Sequence, residues 1–269
     1  QADVGIAVSG ATDAARAAAD LVLTAPGLSV IVRAIEEARR IFERMDSYAI
    51  YRITETIRIM VFMVLAMLVY DFYPITAIMI ILLALLNDLP IIAIAYDHTR
   101  VDPKPVRWEM HRVLAVASVL GIVGVIETFI LLVIARSWLG IEASQLQSVI
   151  FLKLAVAGHL TLFVARSREP FFRRPFPAPI LLAAILTTQV VAALIVGLGI
   201  FVPPIPWPWI GMIWGYALAW IFIEDWAKLR VYRHLARGGP THIRFLETIQ
   251  APLHPRGTHA ARTPGTRRQ

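Results

Sequence analysis

The chain has 269 residues, of which 58% are hydrophobic and 17% are charged. Soluble domains are about 45–50% apolar and about 25% charged, so this composition disfavours a water-soluble globule and indicates a membrane protein. The formal charge of +7 would suggest a nucleic-acid partner in a soluble chain, so its distribution along the sequence has to be considered first. The absence of cysteine excludes disulfide scaffolds, thiolate metal sites and thiol catalysis.

The first part of the chain differs in character from the rest. Residues 1–47 are rich in alanine and charged side chains, which predicts exposure to water. Residues 4–8 are typical of a short strand, residues 11–19 of a helix and residues 21–23 of a second strand. Because so few large apolar side chains cannot close a core, we expect residues 1–28 to be the end of a larger α/β domain, and the chain to be a fragment.

An amphipathic pattern that begins at residue 29 continues without proline or glycine into an apolar segment. It predicts one long helix ending near Tyr70, with residues 29–47 as a stalk. Further apolar segments are long enough to cross a bilayer at 1.5 Å rise per residue. They are residues 73–96, 113–135, 149–165, 179–202 and 208–226. The sequence therefore predicts a mainly α fold, a bundle of six transmembrane helices over residues 48–226.

Arginine and lysine are unevenly distributed between the predicted connections. Residues 97–112 and 166–178 each carry four of them, whereas the other three connections carry one or none. By the positive-inside rule, the N-terminal segment, these two connections and the tail at residues 227–269 are cytoplasmic. The basic charge is thus explained by the membrane topology and by the lipid bilayer as partner. We expect no nucleic-acid partner. The tail, rich in proline and arginine, is predicted to be largely disordered.

Asp88 lies deep within an apolar segment, in the run Leu85-Leu86-Asn87-Asp88-Leu89-Pro90. An ionisable residue at membrane depth costs about 2.5–3.5 kcal/mol on insertion scales and therefore needs a reason. Pro90 has no N–H and frees a backbone carbonyl one turn earlier, near Leu86. With the Asn87 carboxamide, these groups form a polar site of the kind that binds ions in broken helices. The alternative is a structural, hydrogen-bonded aspartate in a kinked helix.

Arg58 is the predicted partner of Asp88. The short connection makes the first two spans an antiparallel hairpin, in which both residues lie roughly 20 Å from the connection. An arginine within salt-bridge reach favours the ionised carboxylate and desolvation favours the protonated acid, so a small helix movement could switch between them. The alternative is that Arg58 snorkels toward cytoplasmic water near Arg52 and Glu55.

Other polar residues occur in the later spans. Glu127 could be a second titrating site or a helix-packing group. Lys153 is expected to snorkel and His159 to bond across a helix contact. Glu224 and Asp225 are expected at the cytoplasmic end of the last span, close to solvent.

Several runs resemble P-type ATPases over about residues 1–235. Three of them resemble the end of that family's phosphorylation domain, namely Ala2-Asp3-Val4-Gly5-Ile6-Ala7-Val8, Ala11-Thr12-Asp13-Ala14-Ala15-Arg16 and Asp20-Leu21-Val22-Leu23-Thr24. Thr56-Ile57-Arg58-Ile59 and Leu85-Leu86-Asn87-Asp88 resemble the fifth helix and the sixth-helix proton site of plasma-membrane proton pumps. The resemblance implies a remnant of a HAD-like domain followed by membrane helices five to ten.

The resemblance also implies a mechanism. Asp88 would bind the proton, Asn87 would hydrogen-bond to it in the occluded state, Arg58 would promote its release, and Glu127 is a possible secondary site. ATP and Mg²⁺ would be cofactors of the complete pump, a translocase of the plasma membrane, and this chain would bind neither. The phosphorylated aspartate would lie in the N-terminal half of the pump, so we expect this chain alone to be catalytically inactive. Pro90 and the basic tail depart from the pattern of plant and fungal pumps.

Two other functions remain open at this point. The first is a P-type pump for another cation, although a lone Asp88 beside Arg58 argues against a divalent ion because the site would be nearly neutral. The second is a stand-alone ion-coupled carrier or proton channel. Internal repeats would favour a carrier, and none is visible.

Overall fold

A computed structural model of the protein describes residues 4–25, 29–100 and 108–237. Two-residue strands β1 (Ile6–Ala7) and β2 (Leu21–Val22) pair in parallel. The helix α1 (Asp13–Ala17) lies between them and has no buried residue. The predicted strand–helix–strand order is therefore present, and it is too small to enclose a core.

Six long helices follow in the described part of the chain. They are α2 (Ser29–Tyr70), α3 (Ala77–Ala93), α4 (Met110–Val133), α5 (Ala143–Ala165), α6 (Pro179–Leu198) and α7 (Trp207–Arg237). A 3-10 turn extends α3 to Tyr96, and a π-helical turn extends α4 to Trp138. The mainly α membrane bundle predicted from composition is confirmed.

The last predicted span differs from the others. Helices α2 to α6, with their extensions, are long and apolar enough to cross a membrane, whereas α7 is not among those that meet this criterion in the described chain. Its 31 residues include five tryptophans, whose amphipathic rings suit the membrane interface better than its centre. Five of the six predicted spans therefore meet this criterion of length and composition, and the sixth stays a prediction. The helix runs to Arg237, beyond the predicted end of the span at residue 226, and most of the predicted tail lies outside the described residues.

The helix α2 is continuous over 42 residues, as the sequence predicts. At 1.5 Å rise per residue it is about 63 Å long, roughly twice the hydrocarbon thickness of a bilayer. The water-exposed stalk and the first membrane span are therefore one rigid element.

The helix α5 lies at the centre of the bundle. It is buried along nearly its whole length, including the polar residues Lys153, His159 and Thr161. The helices α2, α3, α4 and α6 all pack against it. A helix that is apolar on all sides and carries a few buried polar groups is typical of a bundle core. This central position brings the polar groups of α5 within reach of its neighbours.

Candidate functional site

Asp88 lies on an exposed apolar face of α3. The exposed residues Ile81, Leu85 and Ile92 share this face with it, at helical spacing. Within the described residues, Asp88 forms no hydrogen bond or ion pair. An unpaired carboxylate is unfavourable in lipid, so Asp88 stands out among the residues of this face.

Pro90 lies inside α3, one turn after Leu86, as the sequence predicts. The His159 ring of α5 lies near the Leu86 backbone carbonyl that Pro90 leaves without its helical donor, but His159 Nε2 forms no hydrogen bond. On its other side, His159 Nδ1 lies 2.8 Å from Gln189 Nε2 of α6. Asn87 is buried, and its Oδ1 has no hydrogen-bond partner. Several polar groups of α3, α5 and α6 therefore lie at this level of the bundle, next to Asp88 in sequence.

Arg58 is fully buried and has two acidic partners. Its Nη1 donates to Glu55 Oε1 at 2.7 Å, and its Nη2 donates to Glu224 Oε1 at 2.6 Å. Thr161 of α5 accepts a further hydrogen bond from Nη2. The predicted Arg58–Asp88 ion pair is not formed in this conformation, nor does Arg58 snorkel. Depth along a helix hairpin placed the two residues at one level, but it does not determine which way each side chain faces.

A second buried ion pair joins α4 to α5. Lys153 Nζ lies 2.9 Å from Glu127 Oε2 and donates a 2.6 Å hydrogen bond to Thr128 Oγ1. Neither Lys153 nor Glu127 is more than 1% exposed. The expectation that Lys153 snorkels is therefore wrong, because a carboxylate at the same depth provides a closer partner than water. Glu224, expected near solvent, is also buried, because it turns inward to Arg58.

These two groups form one electrostatic unit, which we call the buried charge cluster. It consists of Glu55, Arg58, Glu127, Lys153 and Glu224, each of which is at most 3% exposed. The Arg58 guanidinium interacts electrostatically with all three carboxylates, and the Lys153 ammonium group interacts with those of Glu127 and Glu224. The cluster connects α2, α4, α5 and α7. In sequence, the one detectable signal was Glu55, which precedes Arg58 by three residues and so shares its helix face.

Glycines make room for the buried charge cluster. A Cβ added at Gly124 of α4 would overlap the Arg58 guanidinium, and one added at Gly158 of α5 would lie 3.0 Å from Glu55 Oε2. At Gly121, an added Cβ would lie 2.7 Å from Ile57 Cγ2. Small residues that allow close approach are typical of packed membrane helices. Here they let polar side chains of α2 occupy the interfaces with α4 and α5.

Ion pairs also join the basic connections at one end of the bundle. Arg166 Nε donates to Asp97 Oδ2 at 2.8 Å, and the Ala178 N–H donates to Asp97 Oδ1 at 2.9 Å. Arg168 Nη2 lies 2.8 Å from Glu43 Oε1 of the stalk. The stalk and the connection at residues 166–178, both predicted to be cytoplasmic, therefore lie on the same side of the bundle.

Comparison with known proteins identifies relatives. No protein-family model matches the chain. It is 50% identical over 236 residues to a protein of Methanocaldococcus jannaschii named as a cation-transporting ATPase, which covers 87% of this chain and 29% of that protein. It is 37% identical over 195 residues to plasma membrane ATPase 1 of Candida albicans, covering 71% of this chain and 22% of the relative. A protein of Leishmania donovani named as proton ATPase 1A is 30% identical over 276 residues, covering 85% of this chain and 28% of its own length.

The chain thus spans less than a third of the length of each of these relatives. The matches cover 71–87% of this chain. The chain is therefore homologous over most of its length to cation-transporting P-type ATPases, the family that its sequence indicates.

Proposed function

We propose that this chain is the ion-carrying membrane part of a proton-exporting P-type ATPase and that Asp88 carries the proton. One observation carries the proposal. Among the acidic residues of the apolar part of the described helices, Asp88 forms no ion pair, whereas the others are all paired with a lysine or arginine. The paired residues are Glu55, Glu127, Glu224 and Asp225. The names of two relatives, a plasma membrane ATPase and a proton ATPase, support the proton as the ion.

The isolation of Asp88 suits it to reversible proton binding. A carboxylate with a fixed cation beside it stays ionised, whereas an unpaired one responds to the polarity of its surroundings. Alternating contact with water and with an apolar environment would therefore release and bind the proton in turn. The neighbouring Asn87 is buried, and its Oδ1 lacks a hydrogen-bond partner, which leaves a free acceptor next to Asp88 in sequence.

The exposed face of α3 fits a longer protein. The matched part of this chain covers only 22–29% of the length of these relatives. In the proposal, other membrane helices of the pump cover Asp88, Ile81 and Leu85. The domains that bind ATP and Mg²⁺ and carry the phosphorylated aspartate lie outside the chain. The stalk end, where Arg168 contacts Glu43, faces the cytoplasm of a plasma-membrane pump.

Two parts of the sequence-based mechanism need revision within this proposal. Arg58 can promote release from Asp88 only if it first leaves Glu55 and Glu224. The argument against a divalent ion assumed a neutral Arg58–Asp88 site, and it does not apply to this conformation. Proton specificity therefore rests on the isolation of Asp88 and on the relatives. Glu127 remains a possible secondary site, held by Lys153.

The test of the carrier is Asp88→Asn in the complete protein, reconstituted in sealed vesicles. Asparagine keeps the shape and loses the titrating proton, so proton transport should be abolished while phosphorylation from ATP continues. The matched control is Asp71→Asn between α2 and α3, where φ is 47° and asparagine is well tolerated. Normal pumping by Asp88→Asn would contradict the assignment, whatever the control does.

A second test addresses the catalytic domains that the proposal places outside this chain. The 269-residue chain contains no phosphate-binding glycine-rich loop, so purified in detergent it should neither hydrolyse ATP nor bind nucleotide tightly. Steady-state hydrolysis that is lost on mutation of a residue within the chain would contradict this part of the proposal.

A further inference from the structure

The charges of the buried charge cluster do not balance. Its members are three carboxylates, on Glu55, Glu127 and Glu224, and two cations, on Arg58 and Lys153. With every group ionised, the cluster would carry a net charge of −1. An uncompensated charge in a low-dielectric interior is costly, and an acid avoids the cost by taking up a proton. The charge count therefore calls for one proton.

No other buried group around the cluster supplies the missing positive charge among the described residues. Arg52 of α2, one turn before Glu55, is a cation that acts on Glu55, but it is exposed. Tyr51 of α2 is fully buried, is neutral, and has no hydrogen-bond partner at its hydroxyl. Tyr216 of α7 donates its hydroxyl to the Glu127 backbone carbonyl at 2.7 Å. Thr128 and Thr161 are neutral hydrogen-bonding groups. Lys228, the next cation along α7, is paired with Asp225.

The pairing geometry indicates which acid carries the surplus charge. Glu127 has the cation of Lys153 to itself, with 2.9 Å between Lys153 Nζ and Glu127 Oε2, although neither Glu127 oxygen has a well-aligned hydrogen-bond donor. Glu55 and Glu224 share the single cation of Arg58, at 2.7 and 2.6 Å. One member of this second pair is therefore the acid that the cations do not compensate.

The hydrogen bonds of Thr161 distinguish Glu224 from Glu55. Thr161 Oγ1 lies 2.8 Å from the Ala157 carbonyl oxygen and 2.8 Å from Glu224 Oε2, and it also accepts from Arg58. A hydroxyl has one hydrogen and two lone pairs, so it can donate to only one of these two oxygens. If Glu224 Oε2 carries a proton, it donates to Thr161, and Thr161 donates to Ala157. All three contacts are then satisfied, whereas Glu55 Oε2 has no such partner.

We infer that the buried charge cluster is a second proton site, separate from Asp88, in which Glu224 is protonated and donates to Thr161. The step is the addition of one proton to one carboxylate, and it brings the cluster to neutrality. The proton joins α7 to α5, while Arg58 joins both to α2. This inference does not rest on Asp88 being the transported-proton site.

Infrared spectroscopy of the complete protein tests the inference, because protonated carboxyl groups absorb apart from carboxylates and shift in D₂O. The parent protein is the Asp88→Asn variant, so that Asp88 cannot contribute. Glu224→Gln should remove one protonated-carboxyl band from this parent. Thr161→Val should shift the same band to higher frequency, because the acid loses its hydrogen-bond acceptor. The matched control Thr128→Val removes a hydroxyl that bonds to Lys153 and should leave the band in place.

Each outcome of these measurements either supports or overturns the inference. The inference is overturned if the band survives Glu224→Gln, if it is unmoved by Thr161→Val, or if Glu127→Gln shows a loss that Glu224→Gln does not. Should Glu224→Gln fail to fold, the Thr161→Val shift alone decides. An independent check changes the net charge of the cluster. Lys153→Met removes one positive charge, so one further carboxylate should take up a proton and one additional protonated-carboxyl band should appear. No additional band would contradict the charge balance.

Discussion

Carboxyl groups within the bundle have opposite surroundings in two regions, paired with cations in one and unpaired in the other. In the buried charge cluster, three carboxyl groups are enclosed by four helices and held by Arg58 and Lys153. On the outer face of α3, Asp88 has no cation and lies among exposed apolar side chains. Buried ion pairs hold the helices in one arrangement, whereas Asp88 makes no such contact within the described residues. The first region is therefore suited to architecture, and in the proposed function the second is suited to transport.

The largest effect should come from Arg58→Ala. Removal of one partner from a buried ion pair costs about 3–5 kcal/mol, and Arg58 serves two carboxyl groups. We expect a strongly lowered Tm of the detergent-solubilised protein, with Arg52→Ala on the exposed face of α2 as the control. If Arg58→Ala instead kept its Tm and lost only transport against a steep proton gradient, Arg58 would belong functionally with Asp88.

Lys153→Met should lower the stability to a similar extent, and a second substitution should restore it. The substitution leaves Glu127 buried without its cation, which costs up to about 3–5 kcal/mol. The double variant Glu127→Gln/Lys153→Met removes both charges and should recover most of the lost stability. A double variant no more stable than Lys153→Met alone would show that the ion pair is not what joins α4 to α5 here.

Gly124→Ala should have an intermediate effect. The added Cβ would overlap the Arg58 guanidinium, and overpacking of this kind costs about 1–3 kcal/mol. Gly215→Ala in α7 is the matched control, since nothing lies within 4 Å of its added Cβ and alanine favours a helix. Equal Tm values for the two variants would indicate that α2 and α4 do not pack as closely as the structure has them.

The smallest effect on stability should be that of Asp88→Asn. Asp88 makes no hydrogen bond or ion pair within the described residues, so its replacement should change the free energy of unfolding by less than about 0.5 kcal/mol. Thermal unfolding of the same preparation used for transport measures this. A large loss of stability would mean that Asp88 is a structural group, and the contrast between the two regions would disappear.

The sequence predicted elements better than side-chain partners. Apolar periodicity sufficed for the course of α2, because nothing between Ser29 and Tyr70 breaks a helix. It also identified Asp88 and Arg58 as unusual, because the cost of charge in lipid depends on composition alone. Their pairing could not be obtained in this way, since it depends on the rotation of each helix about its axis. Glu224 was misjudged because the end of an apolar segment resembles an interface, although its side chain turns inward.

The unbroken helix α2 is also a lever. Arg58 fixes it within the bundle, about 44 Å from its start at Ser29 and about 18 Å from its end at Tyr70 at 1.5 Å rise per residue. If α2 tilts about this point as a rigid body, a sideways displacement of the stalk reaches the opposite end reversed in direction and reduced about 2.4-fold, by the ratio of these two lengths. A large displacement of the stalk would thus become a small displacement at the Tyr70 end of α2. The buried charge cluster would be the pivot of this motion.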